Sequence, residues 1–207
     1  MILRGVRSKK SSKYYMTAPF SLLDIQCRIR ENREMQQIKE LKLSHPLPSI
    51  QANVAKSALV LFMAEVLYRT MEDGYTNAPL YDFIRDSALM LEDESRYSNF
   101  HLWFLIQLSA HYGFYPDTDN FKEGYLFNLS EGQFVHTADP GTGEILSARS
   151  SSILNSILGM NFDETMRLKI SAEERNDVLT GLIDYFRLHT ESLKEINSHS
   201  VLSAVFK

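Results

Sequence analysis

Ser98-Asn99-Phe100-His101-Leu102-Trp103-Phe104-Leu105-Ile106-Gln107-Leu108-Ser109-Ala110-His111-Tyr112-Gly113 is the stretch on which the fold turns. Apolar side chains recur on almost every side of a 3.6-residue turn, with Leu102-Trp103-Phe104-Leu105-Ile106 at the centre. A helix of that kind has no face to give to water. The segment therefore predicts the buried central helix of an α-helical body, running from Ser98 or Asn99 to Tyr112. Gly113 supplies its stop signal.

Working outward, helical spacing recurs on both sides. Val54, Ala58, Leu61, Phe62, Val66 and Leu67 predict a helix over 54–71, with Asn53 as its N-cap and Gly74 just beyond its end. A second helix is predicted from Ala78 to about Glu92, with Pro79 in its first turn. Helices return at 148–159, at 172–189 and at 199–206. Ser171 and Glu174 stand in capping-box spacing ahead of the apolar face Val178, Leu179, Leu182, Ile183 and Phe186. Residues 114–146 lack the helical period. There Tyr125-Leu126-Phe127-Asn128-Leu129, a Ser130-Glu131-Gly132 turn and Gln133-Phe134-Val135 predict a small β-hairpin. The expectation is five to seven helices from about residue 53 onward, interrupted by that one hairpin.

The period changes upstream of the breaker His45-Pro46-Leu47-Pro48-Ser49. Leu23, Ile25, Cys27 and Ile29 alternate strictly, the pattern of a half-buried strand, and Arg28 and Arg30 share the opposite face. After the polar turn Glu31-Asn32-Arg33-Glu34, Met35 to Leu43 offers a second strand, though it also reads as a short helix. The fold class is α+β, mostly α.

Charge divides at the same place. Residues 1–45 hold ten Lys/Arg against four Asp/Glu, a balance of +6; the remainder balances at −10, on a chain of net charge −4. A basic block on an acidic chain steers a polyanion, or is simply a solvated loop. Arg4, Arg7, Lys9, Lys10 and Lys13 give one run of five positive charges with no acid. Its serines and Gly5 suit a turn between strands. Beside a strand bearing Arg28 and Arg30, such a loop can follow a phosphate backbone without reading sequence. Tyr14 and Tyr15 can stack on bases or pack in a strand.

No motif for chemistry is complete in the sequence. Gly141-Thr142-Gly143-Glu144 lacks the lysine and spacing of a phosphate loop. Asp117-Thr118-Asp119 opens like a calcium loop, but Lys122 stands where glycine is required and Asn128 where glutamate is. His101 and His111 are too far apart along one helix to share a metal. No serine sits in a nucleophile elbow. Cys27, the single cysteine, suits a reducing cytoplasm and excludes a cysteine-rich zinc site. The expectation is a protein without catalytic residues, cofactor or metal, and without a membrane span or secretory signal.

The segment Arg4-Gly5-Val6-Arg7-Ser8-Lys9-Lys10-Ser11, with Pro19-Phe20 after it and the strand pair at 21–43, resembles the RecO family of bacterial recombination-repair proteins. The central helix ending Ala110-His111-Tyr112-Gly113-Phe114, followed by Pro116, resembles that family's central helix and the loop leaving it. The resemblance implies an OB-fold at residues 1–48, here partial, and a helical C-terminal domain at 49–207. It implies binding and annealing of single- and double-stranded DNA, and work with RecR and the single-stranded-DNA-binding protein to help load RecA. Some relatives carry four cysteines for zinc after the central helix; residues 114–136 have none here. The small hairpin must then be held by packing of Phe121, Tyr125, Phe127 and Phe134. Only about 45 residues precede the helical body, too few for five strands of about 5–6 residues each. The expected start is near the end of the third strand. An incomplete barrel exposes strand edges and part of its core.

The resemblance also implies that the body receives the acidic, apolar-ended C-terminal tail of the single-stranded-DNA-binding protein. Arg96, just before the central helix, with Phe100 and Phe104 as apolar lining, is the candidate place. The alternative is that Arg96 answers Glu92, Asp93 or Glu94 in a surface ion pair. A protein-interaction module without DNA binding is the competing function. A hydrolase or transferase has no supporting constellation.

Overall fold

The computed structural model describes residues 15–30, 36–71, 77–136, 144–190, 193 and 196–206. A 3-10 turn at Tyr15–Thr17 leads into an antiparallel pair, β1 (Leu22–Arg28) and β2 (Gln37–His45). The second segment is thus a strand, not a helix. Helices α1 (Pro48–Ala52), α2 (Val54–Thr70), α3 (Ala78–Asp93) and α4 (Phe100–His111) follow. A small hairpin, β3 (Leu126–Asn128) and β4 (Gln133–Val135), separates them from α5 (Ala148–Leu158), α6 (Phe162–Arg167), α7 (Ala172–His189) and α8 (Ser198–Val205). The helix count from residue 54 onward falls in the expected range. Two short helices, α1 and α6, were not foreseen.

Helix α4 is the buried centre. Phe100, Leu102, Phe104 and Leu108 have no exposure, and Trp103 packs against Phe83, Phe100 and Phe162 at ring distances of 6.0, 5.5 and 5.0 Å. Gly113, at φ +83°, ends it. Asn99 precedes α4 but does not cap it through its side chain. Its amide instead donates to the carbonyls of Thr165 and Leu168, both at 2.9 Å, and accepts from Arg175 Nε at 2.9 Å. One side chain with 1 % exposure thereby joins the start of α4 to the end of α6 and the first turn of α7. Capping boxes at Asn161/Glu164 and Ser171/Glu174 begin α6 and α7.

The small hairpin is held as its aromatic content predicts. Phe134 meets Phe121 at 5.0 Å and Phe127 at 5.1 Å, and Tyr125 lies 5.4 Å from His136. Ser151 of α5 accepts the Phe127 N–H at 2.9 Å. At the turn, Gly132 (φ +67°) leaves room for the Tyr185 hydroxyl, which donates to the Phe114 carbonyl at 2.6 Å. Asp117-Thr118-Asp119 is a turn in which Asp117 Oδ1 accepts from the Asp119 N–H.

The join between strand pair and body is clamped. Helix α1 has no side-chain cap of its own, and the Glu92 carboxylate from α3 accepts the N–H groups of Ser49 (2.7 Å) and Ile50 (2.9 Å). Lys56, almost wholly buried, donates to Ser49 Oγ and to the Glu92 carbonyl and sits 5.5 Å above the Tyr97 ring. These charge-assisted bonds set the direction in which His45-Pro46-Leu47 leaves the body.

Candidate nucleic-acid interface

Strands β1 and β2 pair through Leu23↔Leu43, Asp24↔Lys42, Ile25↔Leu41, Gln26↔Glu40, Cys27↔Ile38 and Arg28↔Gln37, with irregularities at Leu22/Leu23 and Gln26/Cys27. Directly opposed residues point to the same face of a ladder. One face therefore carries Leu23, Ile25, Cys27, Ile38, Leu41 and Leu43; the other carries Asp24, Gln26, Arg28, Glu40 and Lys42.

The apolar face departs from the expected half-buried strand. Leu23 and Cys27 are half-buried, but Ile25 is 42 % exposed and Ile29, just past the strand, 77 %. Among the described residues the sheet has only these two strands. A two-stranded ribbon has no second layer to cover its apolar side. Phe20 anchors its base against Phe104 at 6.4 Å, while Leu43 lines an apolar cavity with Pro19, Leu47, Val60 and Leu61.

On the polar face charge is uneven. Lys42 is bound to Glu40 at 2.7 Å, and a hydrogen bond with that carboxylate raises its pKa. Asp24 sits opposite it in the register. These three charges at the base of the hairpin thus leave it net negative. Toward the turn, Arg28, Arg30 and Lys39 are exposed, and among the described residues none of the three makes an ion pair. Arg30 is fixed at its backbone: its N–H donates to Gln36 Oε1 at 2.8 Å, and Gln36 Nε2 returns a bond to its carbonyl at 3.0 Å. Sequence reading singled out Arg28 and Arg30; Lys39 and the Gln36 clasp were missed. Arg4, Arg7, Lys9, Lys10 and Lys13 lie outside the described residues, as do Tyr14 and the tip at 31–35.

The expected tail-binding trio is not assembled. Arg96 is exposed, and its guanidinium pairs with no carboxylate among the described residues, so the ion pair with Glu92, Asp93 or Glu94 is not formed either. Phe100 and Phe104, however, are closed inside the core with no exposure. The all-round apolar character that makes α4 central also removes both rings from any surface. Among the described residues no group of His, Cys, Asp and Glu could hold a metal ion, and no helix is long and apolar enough to cross a membrane.

The protein is a predominantly helical body bearing a small strand pair, with Arg28, Arg30 and Lys39 exposed toward the pair's turn end. Comparison with known proteins is specific. The family model "Recombination protein O C terminal" matches residues 51–196. The chain is 32 % identical over 189 residues to the DNA repair protein RecO of Azobacteroides pseudotrichonymphae, covering 91 % of this chain and 78 % of the relative. The DNA repair protein RecO of Phocaeicola vulgatus is 32 % identical over 97 % of this chain and 83 % of its own length; that of Christiangramia forsetii is 30 % identical over 99 % and 85 %. No solved structure gives a significant match. The chain belongs to the RecO family, and its role lies in DNA repair and recombination.

Proposed function

We propose that this protein is a non-catalytic mediator of recombinational repair in the bacterial cytoplasm, at the nucleoid. It binds single- and double-stranded DNA, anneals complementary strands, and helps RecA load together with RecR and the single-stranded-DNA-binding protein. The observation that carries the DNA part is the exposed Arg28 and Arg30 at the turn end of the β1–β2 hairpin, without an ion pair among the described residues, on a chain whose body is acidic. Arg4, Arg7, Lys9, Lys10 and Lys13 supply the main phosphate contact, and the two arginines extend it. The contact follows the phosphate backbone and does not read base identity.

Fluorescence anisotropy with a labelled single-stranded oligonucleotide over a salt series tests this. If about three cations neutralise phosphates, log affinity falls against log salt with a slope of roughly −2. Lys9→Ala/Lys10→Ala and Arg28→Ala/Arg30→Ala each weaken binding to unrelated sequences alike. Affinity unchanged in both double variants overturns the assignment. Binding to RecR or to the tail peptide, with no DNA binding, supports the interaction-module reading instead.

A further inference from the structure

A cavity of about 200 Å³ opens where α4, α7 and α8 meet. Leu179 of α7, with Leu202 and Phe206 of α8, gives it an apolar wall. His101 of α4 lines it too; that ring is 1 % exposed, and its Nδ1 has no hydrogen-bond partner. Arg175 and Asn176 enter from the first turns of α7.

Arg175 is half-buried, yet its guanidinium makes no ion pair among the described residues. Its two bonds, to Asn99 Oδ1 and the Ile170 carbonyl, go to neutral acceptors and leave Nη1 unused. Burial lowers its pKa, and no carboxylate offsets the effect. A cation drawn out of water without a counter-ion is costly, and an anion brought to it recovers much of that cost. Asn176 adds a donor: its Oδ1 accepts from the Ser203 hydroxyl at 2.5 Å, which leaves its Nδ2 amine without a bond among the described residues. His101 Nδ1, in its protonated tautomer, is another donor lacking an acceptor.

We propose that this cavity binds a small free carboxylic acid with a compact apolar body. The carboxylate meets the Arg175 fork and the Asn176 amine, and the body rests on Leu179, Leu202 and Phe206. Size fixes the body. A cavity of roughly 150 Å³ holds one benzene ring, whereas drug-sized ligands need roughly 300 Å³ or more. Charge fixes the head group. Glu173, exposed at the mouth and in no ion pair among the described residues, disfavours a dianion such as phosphate more than a monoanion. A ligand seated here touches both α7 and α8, so it fastens the last helix to the body.

Phenylacetate is the probe, with phenylacetamide as the same body without the charge and acetate as the charge without the body. Phenylacetate at about ten times its Kd is expected to raise the Tm of the full chain by roughly 3–6 °C, and the two controls are not. Amide shifts in nuclear magnetic resonance spectra should centre on Leu179 and Leu202. Arg175→Gln is expected to weaken phenylacetate binding by about tenfold or more. Arg175 also holds Asn99, so Glu173→Gln gives a second test at an exposed side chain: it should fold as wild type and bind phenylacetate about two- to fivefold more tightly. No Tm shift with phenylacetate, an equal shift with phenylacetamide, amide shifts centred elsewhere, or unchanged affinity in Glu173→Gln overturns the proposal. So does binding of a peptide ending in phenylalanine at these residues while the free acid stays unbound, which would make the cavity a receptor for a chain end.

Discussion

Replacing Asn99 with alanine removes one acceptor and two donors from the interior at once. The acceptor serves Arg175 Nε, and the donors serve the carbonyls of Thr165 and Leu168. A buried polar group left without a partner costs about 1–3 kcal/mol. The three losses are not equal. The Thr165 carbonyl keeps a bond from the Leu168 N–H at 3.3 Å, and Arg175 keeps one to the Ile170 carbonyl at 3.2 Å. Only the Leu168 carbonyl faces the larger penalty, so the expected sum is about 3 kcal/mol rather than the maximum of the range. For a chain of this size that lowers the melting temperature by about 6–12 °C. Urea denaturation followed by Trp103 fluorescence reads it directly, because Trp103 sits one turn from Asn99. Asn99→Asp keeps the acceptor for Arg175 and should fall between wild type and Asn99→Ala. Asn99→Ala and Arg175→Ala should be non-additive, since they share a bond. A loss below about 1 kcal/mol, or strict additivity, refutes the joining role of this side chain.

Three further outcomes are expected. Burial, with Arg175 and His199 nearby, holds the fully buried His101 down to about 3, well under its ordinary 6.5. The unfolded chain therefore takes up a proton that the folded chain refuses. Stability due to this group is complete above pH 6.5 and is lost as pH falls toward 3, at up to about 1.4 kcal/mol per pH unit. His101→Phe should flatten that part of a stability–pH curve; an unchanged slope would show that other groups set it. Gly132→Ala places a Cβ 2.7 Å from the Tyr185 hydroxyl at φ +67°, whereas Gly113→Ala meets nothing within 4 Å at φ +83°. Both variants bear the left-handed backbone penalty of about 1–2 kcal/mol, and calorimetry should find Gly132→Ala the more damaging. Glu92→Ala leaves the first N–H groups of α1 without their acceptor and should cost about 2 kcal/mol, with Glu92→Gln recovering part of it; equal melting temperatures for wild type and Glu92→Ala would contradict the clamp.

The long helices were legible because their signals are local. Asn53, Asn77 and Ser171 cap where a helix start was read, and Gly113 stops where a stop was read. Helix α6 carries the same kind of signal in Asn161 and Glu164, but its six residues are too few to show a helical period. Helix α1 carried almost none. Its cap comes from Glu92, more than forty residues away, and no periodicity announces a long-range hydrogen bond. The candidate site divides similarly. Arg28 and Arg30 were visible as charge in an alternating strand. Phe100 and Phe104 were misassigned although the pattern already placed them in the core: a ring cannot line a surface pocket and fill the centre of a helix that has no outward face.

The β3–β4 hairpin is fastened by the rings of Phe121, Phe127 and Phe134, by a serine hydroxyl from α5, and by backbone bonds from Asp117, Leu129 and Leu146. That fixes the kind of stress to which it answers. A fastening made of ring contacts and hydrogen bonds has no dissociation constant for an ion, so chelators should leave it intact. It carries a heat capacity instead: its grip weakens on cooling as well as on strong heating. This corner, like the apolar core it belongs to, should therefore loosen in the cold. Amide hydrogen exchange at Phe127 and Phe134, followed downward from room temperature, is where that loosening would be seen.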